Sequence, residues 1–292
     1  MERRLKSSIV MRVVYLVPRL RAIRDSVCPM RPFVLLAFCS FSMLAQLAPP
    51  NSAGVSMGHV HLMVSDPEAQ KKLWVGVFGA EVTNAGSLEL LRLPGIFVVV
   101  QKSRNPPSGG SDGSTVNHFG FLVKSYADTK AKLAAANVPF TDNAAKKQVM
   151  AEFPEKVRVE FTEGENLQKP IVFHHMHLVS TDPEKLRDWY VKTFSGKAGK
   201  REQWLSAEFP GGELDFRKAD APQAPTKGRA LDHIGFEVAG LEAFSKKLAA
   251  EGMPFDFPYR VLPQLGGLQI AFILDPEGTR IELTDGFMAK SH

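Results

Sequence analysis

Short apolar runs recur along this chain, and four of them open in the same way: HVHLMV, HFGFLV, HMHLVS and HIGFEV, headed by His59, His118, His175 and His233. Runs of this length bounded by polar and turn residues predict strands. After each one the period lengthens to that of a helix. Asp66-Pro67 supplies an N-cap followed by proline in the first helical turn, and Leu73, Val77 and Phe78 make an apolar stripe at helical spacing. Asp182-Pro183 with Leu186, Trp189, Tyr190 and Val191 does the same. After the second and fourth runs, helices are predicted over 126–136 and 241–251, stopped by Asn137 and Gly252. Extended stretches such as LELLRLPGIFVVVQ, ELDFRK, LQIAFIL and TRIELTD then follow, broken by Gly and Pro. Each unit reads as strand, helix and three strands, an α+β pattern.

The units are copies. The four histidines lie 59, 57 and 58 residues apart. A shift of 116 lays His59, His61, Asp66, Pro67 and Phe78 on His175, His177, Asp182, Pro183 and Phe194 without a gap. A shift of 115 lays His118, Gly120, Leu133 and Pro139 on His233, Gly235, Leu248 and Pro254. The chain is therefore a duplicated pair. Linkers rich in Gly, Pro and Ser fall at 103–114, 168–170 and 219–227, and the middle one divides the body into expected domains at 57–167 and 171–288.

The net charge of +5 narrows the function only after it is located. Eight basic and two acidic residues lie within 1–53, so the rest of the chain is close to neutral and carries no electrostatic footprint for nucleic acid. Both cysteines, Cys28 and Cys39, lie in the same front segment, which excludes thiol catalysis and disulfides from the body. The uncharged run Pro32 to Ala48 follows Arg31 and leads into PPNSAG. With translation starting at Met30, this reads as a signal peptide cleaved between Ala48 and Ala53, directing a secreted or periplasmic protein. The alternative is an uncleaved membrane anchor, disfavoured because the run is short and interrupted by Ser40, Ser42 and Gln46.

Ionisable residues repeat with the copies. Because a strand alternates faces, His59 and His61 point one way, as do His175 and His177. Each even copy ends in a matched element, Pro154-Glu155 to Glu160 and Pro276-Glu277 to Glu282. Two histidines and one carboxylate suit a catalytic divalent metal, since three protein ligands leave positions open. A single strand histidine is more often a packed residue, but packing does not require an ionisable group at the same place six times.

In these features the chain resembles the vicinal oxygen chelate superfamily, also called glyoxalase/bleomycin resistance/dioxygenase. The resemblance covers about 57–288 and rests on the repeated strand–helix–three-strand plan, the heading histidines, Asp-Pro at the first helix and DPEGTRIE near the end. It implies four βαβββ modules in two tandem domains, each an incompletely closed eight-stranded cup holding a metal ion. Carried over residue by residue, the ligands are His175, His233 and Glu282 in the second domain and His59, His118 and Glu160 in the first, for one or two ions of Fe, Zn, Mn or Ni. A small-molecule substrate is implied, with modules pairing within the chain or across a homodimer.

The resemblance leaves the reaction open. Ring-cleaving dioxygenases place a catalytic tyrosine three residues before the Asp-Pro, where this chain has Phe272. Glyoxalase-like isomerases add a carboxylate that doubles as base, for which Asp215 is the candidate, its alternative being an exposed or ion-paired strand residue beside Arg217. Fosfomycin-type transferases and related lyases use the residue two along from the first histidine, here His61 and His177, as acid, base or orienting partner. Gly120 and Gly235 stand at the matching places, where the missing side chain would leave room for a ligand. A metal-free, bleomycin-resistance-like binding protein would instead use aromatics such as Trp204, Phe216, Tyr259 and Phe272. Two complete His-His-Glu sets favour an exported metal-dependent enzyme, of lyase, isomerase or transferase type over ring cleavage.

Overall fold

The computed structural model describes residues 47–287. Copy 1 comprises β1 (Val55–Val64), α1 (Pro67–Gly76), β2 (Glu81–Ala85), β3 (Leu88–Leu93) and β4 (Ile96–Lys102). Copy 2 comprises β5 (Val116–Val123), α2 (Tyr126–Ala135), β6 (Phe140–Asn143), β7 (Gln148–Phe153) and β8 (Val157–Glu163). Copy 3 comprises β9 (Ile171–Ser180), α3 (Pro183–Phe194), β10 (Lys197–Arg201), β11 (Trp204–Phe209) and β12 (Gly212–Lys218). Copy 4 comprises β13 (Leu231–Val238), α4 (Leu241–Ala250), β14 (Phe255–Leu262), β15 (Leu268–Leu274) and β16 (Arg280–Asp285). The local signals act as expected. Asp66 accepts hydrogen bonds from the Glu68 and Ala69 amides, Asp182 accepts one from Lys185, and Asn137 and Gly252 take the left-handed backbone that ends α2 and α4.

The strands form two eight-stranded sheets, ordered β14-β15-β16-β13-β1-β4-β3-β2 and β10-β11-β12-β9-β5-β8-β7-β6. Copies 1 and 4 therefore share one sheet, and copies 2 and 3 the other. In this respect the molecule differs from the expected domains 57–167 and 171–288, in which consecutive copies pair. Linker length supplies the reason. The short segment 164–170 joins β8 to β9, and both strands flank β5 in one sheet. The longer segments 103–115 and 219–230 cross from one sheet to the other, as their reach permits, and meet at a bridge between Ser114 and Ala224. Both sheets are completed within one chain.

The heading strands meet at the centre of each sheet. β1 and β13 run antiparallel with His61 opposite His233 and His59 opposite Gly235. β5 and β9 repeat the pairing, with His118 opposite His177 and Gly120 opposite His175. The helices cross-tie the two sheets: Trp74 of α1 packs on Phe119, Phe121 and Phe153 of the second sheet, and Phe194 of α3 stacks on Phe236 of the first at 4.4 Å. A smaller apolar cluster, including Leu90, Phe97, Val99, Phe272 and Phe287, lies on the histidine-bearing side of the first sheet. The predicted export run lies outside the described residues except for Leu47 and Ala48; Leu47 is buried in this smaller cluster. Among the described residues, no helix is long and apolar enough to cross a membrane.

Candidate metal centres

Each sheet carries one buried cluster at the junction of its two heading strands. In the first cup, formed by copies 1 and 4, Glu282 Oε2 lies 2.9 Å from His59 Nε2 and 3.0 Å from His233 Nε2. The His61 ring stands 4.4 Å from that of His233, and these four residues can bring one ligand atom each within 4.8 Å of one another. Asp232, next to His233 in sequence, binds His233 Nδ1 at 2.6 Å and Arg280 at 3.1 Å. With Nδ1 so engaged, Nε2 faces the cluster centre.

The second cup, formed by copies 2 and 3, repeats the plan. Glu160 lies 3.3 Å from His118 Nε2 and 3.6 Å from His175 Nε2, and Asn117 takes the place of Asp232, its Oδ1 2.8 Å from His118 Nδ1. His118, His175 and His177 form a ligand-capable group. His118 Nε2 and His175 Nε2 are buried and find no hydrogen-bond partner. Buried polar atoms are rarely left unpaired, so nitrogen atoms beside an anionic oxygen fit a cation between them. The donor set fits a divalent transition metal by its chemistry as well.

The expected ligands are thus all at the clusters, in exchanged partnership. His175, His233 and Glu282 do not converge: His175 stands in the second cup while His233 and Glu282 stand in the first. Likewise His59 joins Glu282 and His233, whereas His118 and Glu160 join His175. The glycine expectation is corrected too. A Cβ on Gly235 would stand 2.0 Å from His59 Cε1, and one on Gly120 would stand 2.3 Å from His175 Cε1. The space left by each glycine holds a ligand histidine, not a bound molecule.

Electrostatics favour neutral imidazoles facing an ionised carboxylate. Burial lowers His59, His118 and His175, and it drives His61 well down with help from neighbouring His233. His177 falls to about 3 for the same reason, with His118 adding to it. Burial opposes charge on Glu160, yet the adjoining His118 ring, with a weaker charge effect from His177, holds it at about 2. Glu282 is held well below its ordinary range against burial by His233 and His59. His233 is the exception, raised despite burial by Asp232 and Glu282.

The candidates for further roles part company. His61 Nε2 lies 3.1 Å from Gln101 Oε1 and borders a cavity of about 380 Å³ lined also by His233, Glu282 and Phe272. His177 lies 3.6 Å from Asp215 and 3.3 Å from Arg201. Asp215 of β12 pairs with Arg201 of β10 across the intervening β11, not with Arg217, and burial pushes its carboxyl up to about 6 in spite of that partner. Phe272 lies 5.1 Å from the His233 ring and Trp204 5.8 Å from that of His177. Phe216 packs on Tyr190 in the main core, and Tyr259 donates to Gln269, so these two do not form an aromatic cleft. Another cavity, of about 770 Å³, lies between α1 and α2 and includes none of the histidines.

Sequence reasoning missed Asp232, Asn117 and Arg201. The first two stand immediately before the matched histidines, a signal the repeat did offer. Arg201 is matched by Ala85, so repetition could not flag it.

Residues 172–283 match the family model of the Glyoxalase/Bleomycin resistance protein/Dioxygenase superfamily. No curated protein matches the sequence. Among solved structures, glyoxalase I from Zea mays has a TM-score of 0.62 at 15% identity, covering 80% of this chain and 94% of its own. A Bacillus subtilis protein provisionally named a dioxygenase has a TM-score of 0.61 at 16% identity, covering 82% and 86%. At such identity the structural likeness speaks for the fold, and the family model speaks for copies 3 and 4. The chain has the tandem fold of the glyoxalase/bleomycin resistance/dioxygenase superfamily, and its segment 172–283 matches that family by sequence.

Proposed function

We propose that the protein is a divalent-metal-dependent enzyme acting on a small oxygen-bearing molecule, of lyase, isomerase or transferase type in preference to ring cleavage. The observation carrying this reading is the pair of buried two-histidine, one-glutamate clusters, in one of which two ring nitrogens face a carboxylate without hydrogen bonds. His59, His233 and Glu282 would hold one ion, and His118, His175 and Glu160 a second. A bound ion would polarise a substrate oxygen as a Lewis acid. Asp232 and Asn117 fix the ring orientation of His233 and His118. His61 borders the first cavity and is the residue best placed to contact a molecule entering there; His177 holds the matching place in the second cup. Phe272 brings no hydroxyl to the cavity, which disfavours the ring-cleaving mechanism. Export through the segment ahead of Pro49 is part of the same proposal, and N-terminal sequencing of the mature protein tests it: a full-length chain starting at Met1 or Met30 would sink it.

Metal stoichiometry tests the central claim. Wild type is expected to hold two ions per chain, Glu282→Gln one, and Glu160→Gln/Glu282→Gln none. His59→Ala/Glu282→Gln should still hold one, because both changes fall in the same cup. A wild type that binds no divalent metal defeats the proposal; loss of both ions in His59→Ala/Glu282→Gln would defeat the partnership of copies 1 and 4.

A further inference from the structure

The two cups match in their ligands and differ in what surrounds them. On the side of each sheet that carries the histidines, four positions correspond by register: Phe97 beside His59 and Val99 beside His61 match Glu213 beside His175 and Asp215 beside His177. Ala85 and Leu90 match Arg201 and Ser206 by the same repeat. In the first cup all four are buried apolar residues of one cluster. In the second, Arg201 reaches in to bind Asp215, lies 3.6 Å from Glu213 and meets His177. The rims differ likewise. Leu88, Leu262 and Leu265 border the first cavity, and its β2–β3 turn at Gly86 packs against the backbone of Leu265. The matching turns of the second cup are bridged by the Lys146–Glu202 ion pair.

Charges near the first cavity are already committed. Arg280 pairs with Asp232 and Asp256 and lies over Phe272, and Asp232 is held by His233. Away from the His59–His233–Glu282 cluster, the lining offers a charged ligand no uncommitted counter-ion, and a charged group there would lose its hydration against apolar walls. An uncharged ligand would gain by burying its hydrocarbon surface there. The space, about 380 Å³, suits a molecule built on one ring.

We propose that the two cups have diverged, the first taking an uncharged, largely apolar small molecule with oxygen donors, the second carrying its own Arg201–Asp215 pair where the first has an apolar wall and taking no such ligand. This rests on the enzyme reading for the meaning of "substrate", but the binding claim stands apart from the metal. The probe is 2-hydroxyacetophenone, an uncharged one-ring molecule with neighbouring oxygens, titrated calorimetrically into the full chain before and after treatment with EDTA. One binding site per chain is expected. Leu88→Glu should weaken binding at least tenfold, and its counterpart Trp204→Glu should leave affinity within twofold. Leu265→Glu, at the other rim, should act as Leu88→Glu does, and urea unfolding confirms that each variant is folded. Absence of saturable binding, two equivalent sites, or equal sensitivity to Trp204→Glu would overturn the proposal. A chain that takes no metal yet binds the probe at the first cup would uphold this inference while defeating the metal-enzyme reading. Two bound metals without selective probe binding would do the reverse.

Discussion

Gly235 is the position where a single methyl group tests the site's construction. Its Cβ would stand 2.0, 2.2 and 2.6 Å from Cε1, Nδ1 and Nε2 of His59, where ordinary contact begins near 3.4 Å. The His59 ring has no exposed surface, faces Phe287 at 5.2 Å and is bonded to Glu282 at 2.9 Å. It must therefore move by more than an ångström, which breaks the Glu282 contact. Overpacking costs about 1–3 kcal/mol, and losing a hydrogen bond to a charged group about 1.5–3 kcal/mol. Gly235→Ala should lose roughly 2.5–6 kcal/mol by these two effects together. For a body of this size that corresponds to a fall in Tm on the order of 10 °C. Urea unfolding in EDTA isolates the packing contribution from any metal. Gly76→Ala is the control, because a Cβ there meets nothing within 4 Å and removes a helix glycine; it should be neutral or stabilising by up to about 1 kcal/mol. His59→Ala added to Gly235→Ala should recover part of the loss, since the obstructing ring is gone. A Gly235→Ala protein within 1 kcal/mol of wild type, as a threshold of roughly one ordinary hydrogen bond, would refute the reasoning.

Two further outcomes follow from the pairing and from one buried carboxyl. Residues 171–292 expressed alone keep β9 and β13 but lose their partners β5 and β1, so light scattering should find a homodimer in which copies 3 and 4 exchange partners; a stable, well-folded monomer would contradict the interlocked architecture. Asp275, bonded to Tyr190 and to the amides of Glu277 and Thr279, is pushed up by burial to about 6 despite those bonds. A carboxyl raised in the folded state favours folding below its unfolded value of 3.8 and loses that contribution as pH rises through about 6. Asp275→Asn should therefore gain on wild type between pH 4 and pH 7.5, by up to about 3 kcal/mol. Parallel stability curves in urea across that range would exclude a raised Asp275.

The pairing also shapes how the repeat carries function. Each cup draws one heading strand from each half of the chain, so the halves share both sites while their surroundings evolve separately. That is how Val99 and Asp215, at one register position, place an aliphatic wall in one cup and a buried carboxylate in the other.

Much of this was determined by sequence alone. Asp66-Pro67 and Asp182-Pro183 start helices through local capping, and Asn137 and Gly252 stop them by backbone conformation, so neither depends on distant residues. The period-two strand put His59 with His61 and His175 with His177 on common faces, and the repeat singled out Glu160 and Glu282. The partnership of copies was beyond reach, because strand periodicity says which face a residue occupies and nothing about which strand lies alongside. Linker reach and the docking of Trp74 and Phe194 on the opposite sheets decided that His59 meets Glu282 and not Glu160. The glycines misled for a related reason: the sequence shows a missing side chain, while only the register of β1 on β13 shows that the space belongs to His59. Arg201 has no ionisable counterpart in the repeat, and its reach to Asp215 depends on the register of β10, β11 and β12 in one sheet, which strand periodicity does not reveal.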